Sequence, residues 1–416
     1  MPADPAILLD VTRLVSRLNQ GPATGIDRVE AEWLSHLQSS RAPHLLLARA
    51  RRAQLLLPPA AGAAILRWSA GDGAGLATPD LFDRLRGRRD MRARAEATLR
   101  RMAIYRAGRT GRGIARKVAQ HLGHAAYLNV GHSNLTADLW AGLAPLPRVA
   151  LIHDTIPLDH PEFTRAGQSE KFRERLVAAL KHAGLVLTVS DATRADVLRW
   201  RDRLNLPEVP IVAAPIGTRL AAPDPTGLPQ GLDLCRPFFV TLGTIEPRKN
   251  HAILLDAWER LGPDAPQLFI IGRRGWENHE TFARLDRLPP DSPIRVLTTL
   301  DDGAVAELIG RSHALLMPSR AEGFGLPLTE AAARGGPVVC TRLPAAREML
   351  GDYACYLCPD DAGAWADQVA ALASGDLLRK VARPVPEWDA HFHLVRQVLR
   401  ERLHAEVVKG MPVKKR

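Results

Sequence analysis

Short runs rich in Val, Ile and Leu alternate along the chain with longer stretches whose apolar residues recur three and four positions apart. The runs fall at residues 7–11, 45–48, 126–130, 149–153 and 185–190, and again at 238–243, 267–271, 294–298, 314–318 and 337–341. They are apolar at nearly every position rather than every second one, as in strands covered on both faces. Strands of that kind separated by helical stretches predict parallel βαβ units and doubly wound sheets. Between the two series, residues 213–236 carry Pro215, Gly217, Pro223, Pro225, Gly227, Pro229 and Gly231 and almost no apolar periodicity, the composition of a linker. The pattern therefore predicts an α/β protein with two Rossmann-like domains, 1–212 and 237–383, and a cleft at the carboxyl ends of both sheets. Residues 384–416 read as a helix following Trp388 and a basic tail. From pattern alone that helix either packs on its own domain or crosses back to the first.

Composition supports a folded chain of two or three domains: 416 residues, 46% hydrophobic and 24% charged. There is no run of about 18 apolar residues and no basic stretch followed by an apolar one at the amino terminus, and four cysteines are too few for a disulfide framework. The expected compartment is the cytoplasm. The formal charge of +11 is local. Residues 84–117 hold thirteen basic residues against Asp90 and Glu96, and the remainder balances at 43 of each sign. Met91, Ala95, Leu99 and Met102 fall at helical spacing among these arginines, a basic amphipathic pattern suited to an anionic membrane surface. The inner face of the plasma membrane is the expected location. A solvated helix face is the plainer reading of the same block. Nucleic acid is disfavoured because Tyr105 is the one aromatic residue between 83 and 117.

Two stretches carry candidate chemistry. In the first, Thr241 and Leu242 lead into Gly243, then Thr244-Ile-Glu-Pro-Arg248-Lys249-Asn250, then a helical stripe at 253, 254, 257, 258 and 261. A turn between the first strand and first helix of a doubly wound domain receives phosphates, because the helix start offers unpaired N–H groups and partial positive charge. Arg248 and Lys249 add two full charges there, although an Arg-Lys pair taken alone is equally an exposed loop pair. In the second, a strand ends near Pro318 and a loop with Glu322, Gly323 and Gly325 leads into a helix containing Pro327 and Glu330. Such a loop lets backbone approach a ligand closely, with one carboxylate placed for sugar hydroxyls and the other for a ribose. Alternatively, Glu330 only complements the helix dipole and Glu322 is solvated. Asp301-Asp302 and Asp360-Asp361 read as caps, and Cys355-Tyr-Leu-Cys358 as buried structural thiols in a short apolar strand. His132 and His160 read as exposed loop residues.

Four motifs in order give the chain a family resemblance: Thr24-Gly-Ile-Asp-Arg-Val29, Ile152-His-Asp-Thr-Ile-Pro157, Gly243 to Asn250, and Glu322-x7-Glu330. It resembles family 4 of the glycosyltransferases, retaining enzymes of the GT-B fold, and within it bacterial mannosyltransferases. The resemblance implies transfer of a hexose from a nucleotide-sugar donor, GDP-mannose as first expectation, to a saccharide or lipid-linked acceptor, with no metal or other cofactor. It implies that Lys249 and Arg248 neutralise the diphosphate and that Glu322, with Phe324, Gly325 and Leu326, holds the donor sugar. Glu330 would hold the ribose, His153 would approach the sugar from the opposite domain, and Gly25 and Gly243 would lie against the phosphates. One departure is Thr244, where several relatives carry an arginine after the glycine. A GT-B epimerase or hydrolase of nucleotide sugars, and a catalytically silent binding or scaffold protein, are the alternatives.

Overall fold

The computed structural model describes residues 6–21, 23–51, 53–79, 87–375 and 379–410. The first sheet contains β1 (Ala6–Asp10), β2 (His44–Ala50), β3 (Ala53–Leu57), β4 (Tyr105–Ala107), β5 (Ala125–Asn129), β6 (Arg148–Ile152), β7 (Leu185–Thr188) and β8 (Ile211–Ala213). Its spatial order is β4-β3-β2-β1-β5-β6-β7-β8. The second contains β9 (Phe238–Leu242), β10 (Gln267–Ile271), β11 (Ile294–Leu297), β12 (Ala314–Met317), β13 (Val338–Thr341) and β14 (Cys355–Leu357), ordered β11-β10-β9-β12-β13-β14. Pairing is parallel except where β3 meets β2 and β4. β1, β5 and β10 are buried along their whole length, because helices cover both faces. Ile7 and Leu9 enter one core and Leu8 the opposite one, as the two-residue period of a strand requires.

The chain reverses direction between β1 and β5 in the first sheet and between β9 and β12 in the second. These are the switch points where open α/β sheets leave a crevice beyond the strand ends. Pro58 and Pro59 separate the antiparallel strand β3 from the helix Ala60–Ser69. Between β8 and β9 the chain holds only the 3-10 turn Pro225–Gly227, so the Pro/Gly-rich segment is structurally a connector.

The helix Trp388–Gly410 crosses back onto the first domain. Phe392 stacks on His36 at 3.8 Å between ring centres, and Trp33 Nε1 donates to His391 Nε2 at 3.2 Å. Both partners lie on the helix Gly25–Ser39. Gly217 sits against the Trp388 backbone, where any side chain would collide.

The basic segment differs from the amphipathic membrane pattern in one respect. Its helix, Met91–Met102, turns Ala95 and Leu99 into the domain core, with Met91 and Met102 packed against the same cluster. The apolar stripe is thus spent on folding and has no face left for lipid. Exposed charge remains at Arg89, Arg101, Arg106, Arg109, Arg112 and Arg116. Arg84 and Arg86, and the basic tail at 414–416, lie outside the described residues.

Candidate active site at the interdomain cleft

The turn after β9 is built to present two cations. Gly243 has φ +141°, and a Cβ there would lie 3.1 Å from Lys249 Cε, so the Lys249 stem runs over a position kept open by glycine. A 3-10 turn, Pro247–Lys249, then ends at Asn250, whose φ of +54° starts the helix His251–Leu261. The Asn250 amide donates to the Pro318 and Pro359 carbonyls at 3.3 and 2.8 Å, and Arg320 N donates to Arg248 O at 2.8 Å. These bonds stitch the turn to the loop after β12, across the switch point.

Glu322 therefore meets both cations: Lys249 Nζ at 2.6 Å through Oε1 and Arg248 at 3.1 Å through Oε2. Arg248 also donates to the Ala321 carbonyl at 2.7 Å and pairs with Glu246 at 2.8 Å. Burial would raise the Glu322 carboxyl, but Lys249 and Arg248 overcome it and hold it down at about 2. Burial would lower Arg248, and Glu322, Glu246 and Asp154 carry it above its ordinary value instead. Lys249 is pulled down by burial, which Glu322 resists. The result is an ionised, mostly buried cluster with donors on a planar guanidinium and an ammonium, suited to a diphosphate.

The first domain closes over this loop. Gly323 leaves no room for a Cβ beside the His153 carbonyl, and Gly323 O accepts from Ser190 Oγ at 3.0 Å and Thr193 Oγ1 at 3.2 Å. His153 is buried, and burial lowers its imidazole to about 4, so it is neutral near pH 7. Its Nε2 lies 2.7 Å from the Val130 carbonyl, which can only accept, so Nε2 carries the proton and Nδ1 keeps a lone pair. Across the cleft, the Gly25 Cβ position is 3.7 Å from Leu326. Gly25 opens its helix behind a Thr24–Asp27 capping box, and Asp27 is gripped by Arg13 at 2.5 Å and Arg17 at 3.3 Å.

Gly325, at φ +86°, caps the helix Leu326–Ala333, and Phe324 is buried in the core beneath it. On that helix Glu330 pairs with Arg28 at 3.1 Å, and Arg28 also reaches Asp302 at 2.8 Å. Burial raises Glu330 against the pull of Arg28. These residues border a cleft of about 260 Å³ that also touches Gly217, Leu326 and Trp388. A second cleft of about 340 Å³ lies on the other side of the loop, between Asp154, Thr155 and Thr193 and the residues Arg320, Glu322 and Gly323.

The structure thus brings Gly243, Arg248, Lys249, Glu322 and the His153 backbone to one place, with Gly25 and Leu326 facing each other beside it and Glu330 one helical turn further on. Sequence reasoning missed Arg28, Asp154, Ser190 and Thr193. Arg28 and Asp154 lie inside the motifs quoted for other residues, and Ser190 is the N-cap of the helix Asp191–Arg203. His132 is buried rather than exposed: its Nε2 accepts from His153 N at 3.2 Å. Arg273, after β10, reaches to the Gly21 position of the first domain at 3.0 Å. Asp301 and Asp361 are N-caps as expected. Cys355 is half-buried and Cys358 exposed, which corrects the expectation of two buried thiols.

Residues 229–384 match the family model "Glycosyl transferases group 1". The chain is 31% identical over 253 residues to the serotype-specific mannosyltransferase WbdA of Escherichia coli, covering 57% of this chain and 29% of that one. It is 29% identical over 248 residues to the O-antigen chain mannosyltransferase B of Escherichia coli, covering 56% and 63%. The matched stretch therefore spans under a third of WbdA and under two thirds of the other relative. Among solved structures, Anabaena Alr3699/HepE in complex with UDP-glucose aligns with a TM-score of 0.64 at 16% identity, over 95% of this chain and 99% of that one. Sucrose-phosphate synthase from Thermosynechococcus elongatus aligns with a TM-score of 0.64 at 14% identity, over 96% and 100%. The fold is GT-B.

Proposed function

From the match of residues 229–384 to the group 1 glycosyl transferases and the similarity to bacterial mannosyltransferases, we propose that this chain is a family 4 glycosyltransferase that moves a hexose from a nucleotide sugar to a saccharide or lipid-linked acceptor. The observation that carries this reading is the Arg248–Glu322–Lys249 cluster, set at the second-domain switch point and covered by His153 of the first domain. The similarity to mannosyltransferases supports GDP-mannose as donor and bacterial polysaccharide or glycolipid synthesis as setting.

Breaking the bond between the anomeric carbon and phosphate puts positive charge on the ring and negative charge on the departing diphosphate. Arg248 and Lys249 supply cations where that negative charge grows, a role a metal fills in other enzymes, so the reaction proposed here needs no metal. The diphosphate competes with Glu322 for these donors, leaving a Glu322 oxygen to accept from the sugar hydroxyls. His153 Nδ1 is a second acceptor from the opposite face, Gly25 lets the first domain approach the phosphates, and Glu330 accepts from the ribose. The acceptor hydroxyl attacks on the face the diphosphate leaves, a phosphate oxygen takes its proton, and the configuration is retained. Lys249→Ala and Glu322→Ala should each abolish hexose transfer from GDP-mannose while leaving the unfolding transition cooperative. Wild-type turnover by both variants would refute the assignment.

For location, the exposed arginines of 84–117 support a peripheral site on an anionic cytoplasmic leaflet, through charge alone since the helix keeps its apolar face for the core. Each basic residue near such a surface contributes about 1 kcal/mol. Sedimentation with anionic vesicles should fall when Arg89, Arg101, Arg106, Arg109, Arg112 and Arg116 become glutamine. Equal sedimentation by the two proteins would remove the membrane from the reading.

A further inference from the structure

We propose that His132 is a positioning residue for His153: its imidazole takes the place of the backbone that would extend β5 and holds the His153 N–H, fixing the strand end that faces the donor sugar. This deepens the glycosyltransferase reading and rests on it for the word donor.

Strands β5 and β6 run parallel, with Tyr127 beside Arg148, Leu128 beside Val149 and Asn129 beside Ala150, and Tyr127 N donates to Pro147 O at 2.8 Å. Bonds in such a ladder recur at every second residue, so one more step beyond Asn129 would bring the Gly131 carbonyl to His153 N. β5 ends before that step. A Cβ at Gly131 would collide with the Glu30 carboxyl and with Arg13, and His132 turns the chain at φ +58°, a left-handed conformation that few residues other than glycine adopt. His132 Nε2 accepts from His153 N at 3.2 Å instead. The side chain supplies the acceptor that the strand no longer offers.

The ring is in the right state for this role. His132 is 6% exposed, and burial, then the neighbouring His153, Arg13 and Arg175, hold its imidazole well below the ordinary value, so it is neutral near pH 7. With Nε2 accepting, the proton sits on Nδ1, and the Leu151 backbone on the same strand also bonds to the ring. The His153 ring is held by Val130 O at 2.7 Å, so residues 130 and 132 grip the side chain and the backbone of one histidine. Their loop is fixed in turn. Asn129 Nδ2 donates to Ser133 O at 2.6 Å, and Asn134 Nδ2 donates at 2.9 Å to Asp10, which also accepts from the Tyr127 hydroxyl at 2.8 Å.

What His132 holds is the surface on which the second domain rests. The His153 carbonyl lies against Gly323, next to Glu322, and accepts from Thr193 Oγ1 at 3.4 Å. A shift of about 1 Å in such a strand end can cost on the order of a hundredfold in rate. The plainer role is packing, since the His132 ring meets His153 at 4.9 Å and Phe172 at 5.9 Å between centres. An apolar ring would fill that space but has no lone pair in its plane for the His153 N–H.

The test uses the full-length protein with His132→Phe, which keeps a ring without an acceptor, and His132→Gln, whose amide oxygen accepts at a similar reach. Both put a Cβ on the same left-handed backbone, so strain is matched. In hexose transfer from GDP-mannose, His132→Phe should lower kcat about tenfold to a hundredfold with the donor KM within about twofold, and His132→Gln should recover most of that loss. Hydrogen exchange resolved to single residues reads the bond without substrate: the His153 amide should be protected in wild type and His132→Gln, and should exchange about tenfold faster or more in His132→Phe. Wild-type kcat in His132→Phe, equal losses in the two variants, a loss confined to KM, or an unprotected His153 amide in wild type overturns the proposal. If His132→Phe does not unfold cooperatively, exchange in the other two proteins decides: slow in both supports the bond, and fast in either overturns it. Nucleotide-induced thermal stabilisation is recorded alongside, and its absence in wild type removes the glycosyltransferase reading while the exchange comparison still tests the His132 bond.

Discussion

Replacing Glu322 by glutamine would leave the Lys249 ammonium and the Arg248 guanidinium mostly buried, with Glu246 as the one directly paired carboxylate among the described residues. Removing one partner of a buried ion cluster costs about 3–5 kcal/mol, because the remaining charges stay desolvated. The pH dependence has a definite sign. Glu322 is held at about 2, below its ordinary 4.5, so its contribution is complete above pH 4.5 and is lost as pH falls toward 2. Urea unfolding at pH 3 and pH 6 should show wild type losing more stability between the two than Glu322→Gln does. Parallel losses would mean that Glu322 is not held ionised by its cations. The identity of Arg248, Lys249 and Glu322 was legible in sequence, since motif spacing marks them. Their direct pairing was not, because it depends on Asn250 tying two turns 68 residues apart.

At the scale of elements, ten of the fourteen strands among the described residues follow from near-continuous apolar runs, and β14 from the short run around Cys355. The ones that escaped the pattern have physical reasons. β4 and β8 are three-residue strands, too short for a periodicity, and β4 lies inside the arginine-rich segment. β3 and the following helix are both apolar and meet at Pro58 and Pro59, so no alternation marks where the strand ends. The carboxyl-terminal helix was ambiguous because its destination is set by a partner surface, Trp33 and His36, that no local pattern reveals. Phe392 is 4% exposed and packs against Trp33, His36 and Trp388. Phe392→Ala should therefore cost about 3–5 kcal/mol in urea unfolding, as large-to-small changes at buried aromatics do. A loss under about 1 kcal/mol would show that the helix does not fasten the domains together.

For the whole molecule, contacts between the two domains include the backbone fit at Gly323 and His153, the hydrogen bonds of Ser190 and Thr193 to Gly323 O, the ion pairs of Arg28 and of Arg219 with Glu32, and the crossing helix. Exposed pairs contribute about 0–1 kcal/mol each, so the aromatic seam and the glycine fit define the closed arrangement more than the ion pairs do. That arrangement places cations from one switch point under a neutral histidine from the other, and every role proposed for the cleft depends on a diphosphate lying between them. The most direct test is calorimetric titration of GDP, UDP and ADP into wild-type protein and Lys249→Ala. One nucleotide should bind wild type, and the variant should bind it about tenfold more weakly or worse, the cost of losing a charge-assisted contact to phosphate. Equal affinity in the two proteins would contradict a diphosphate site at Lys249.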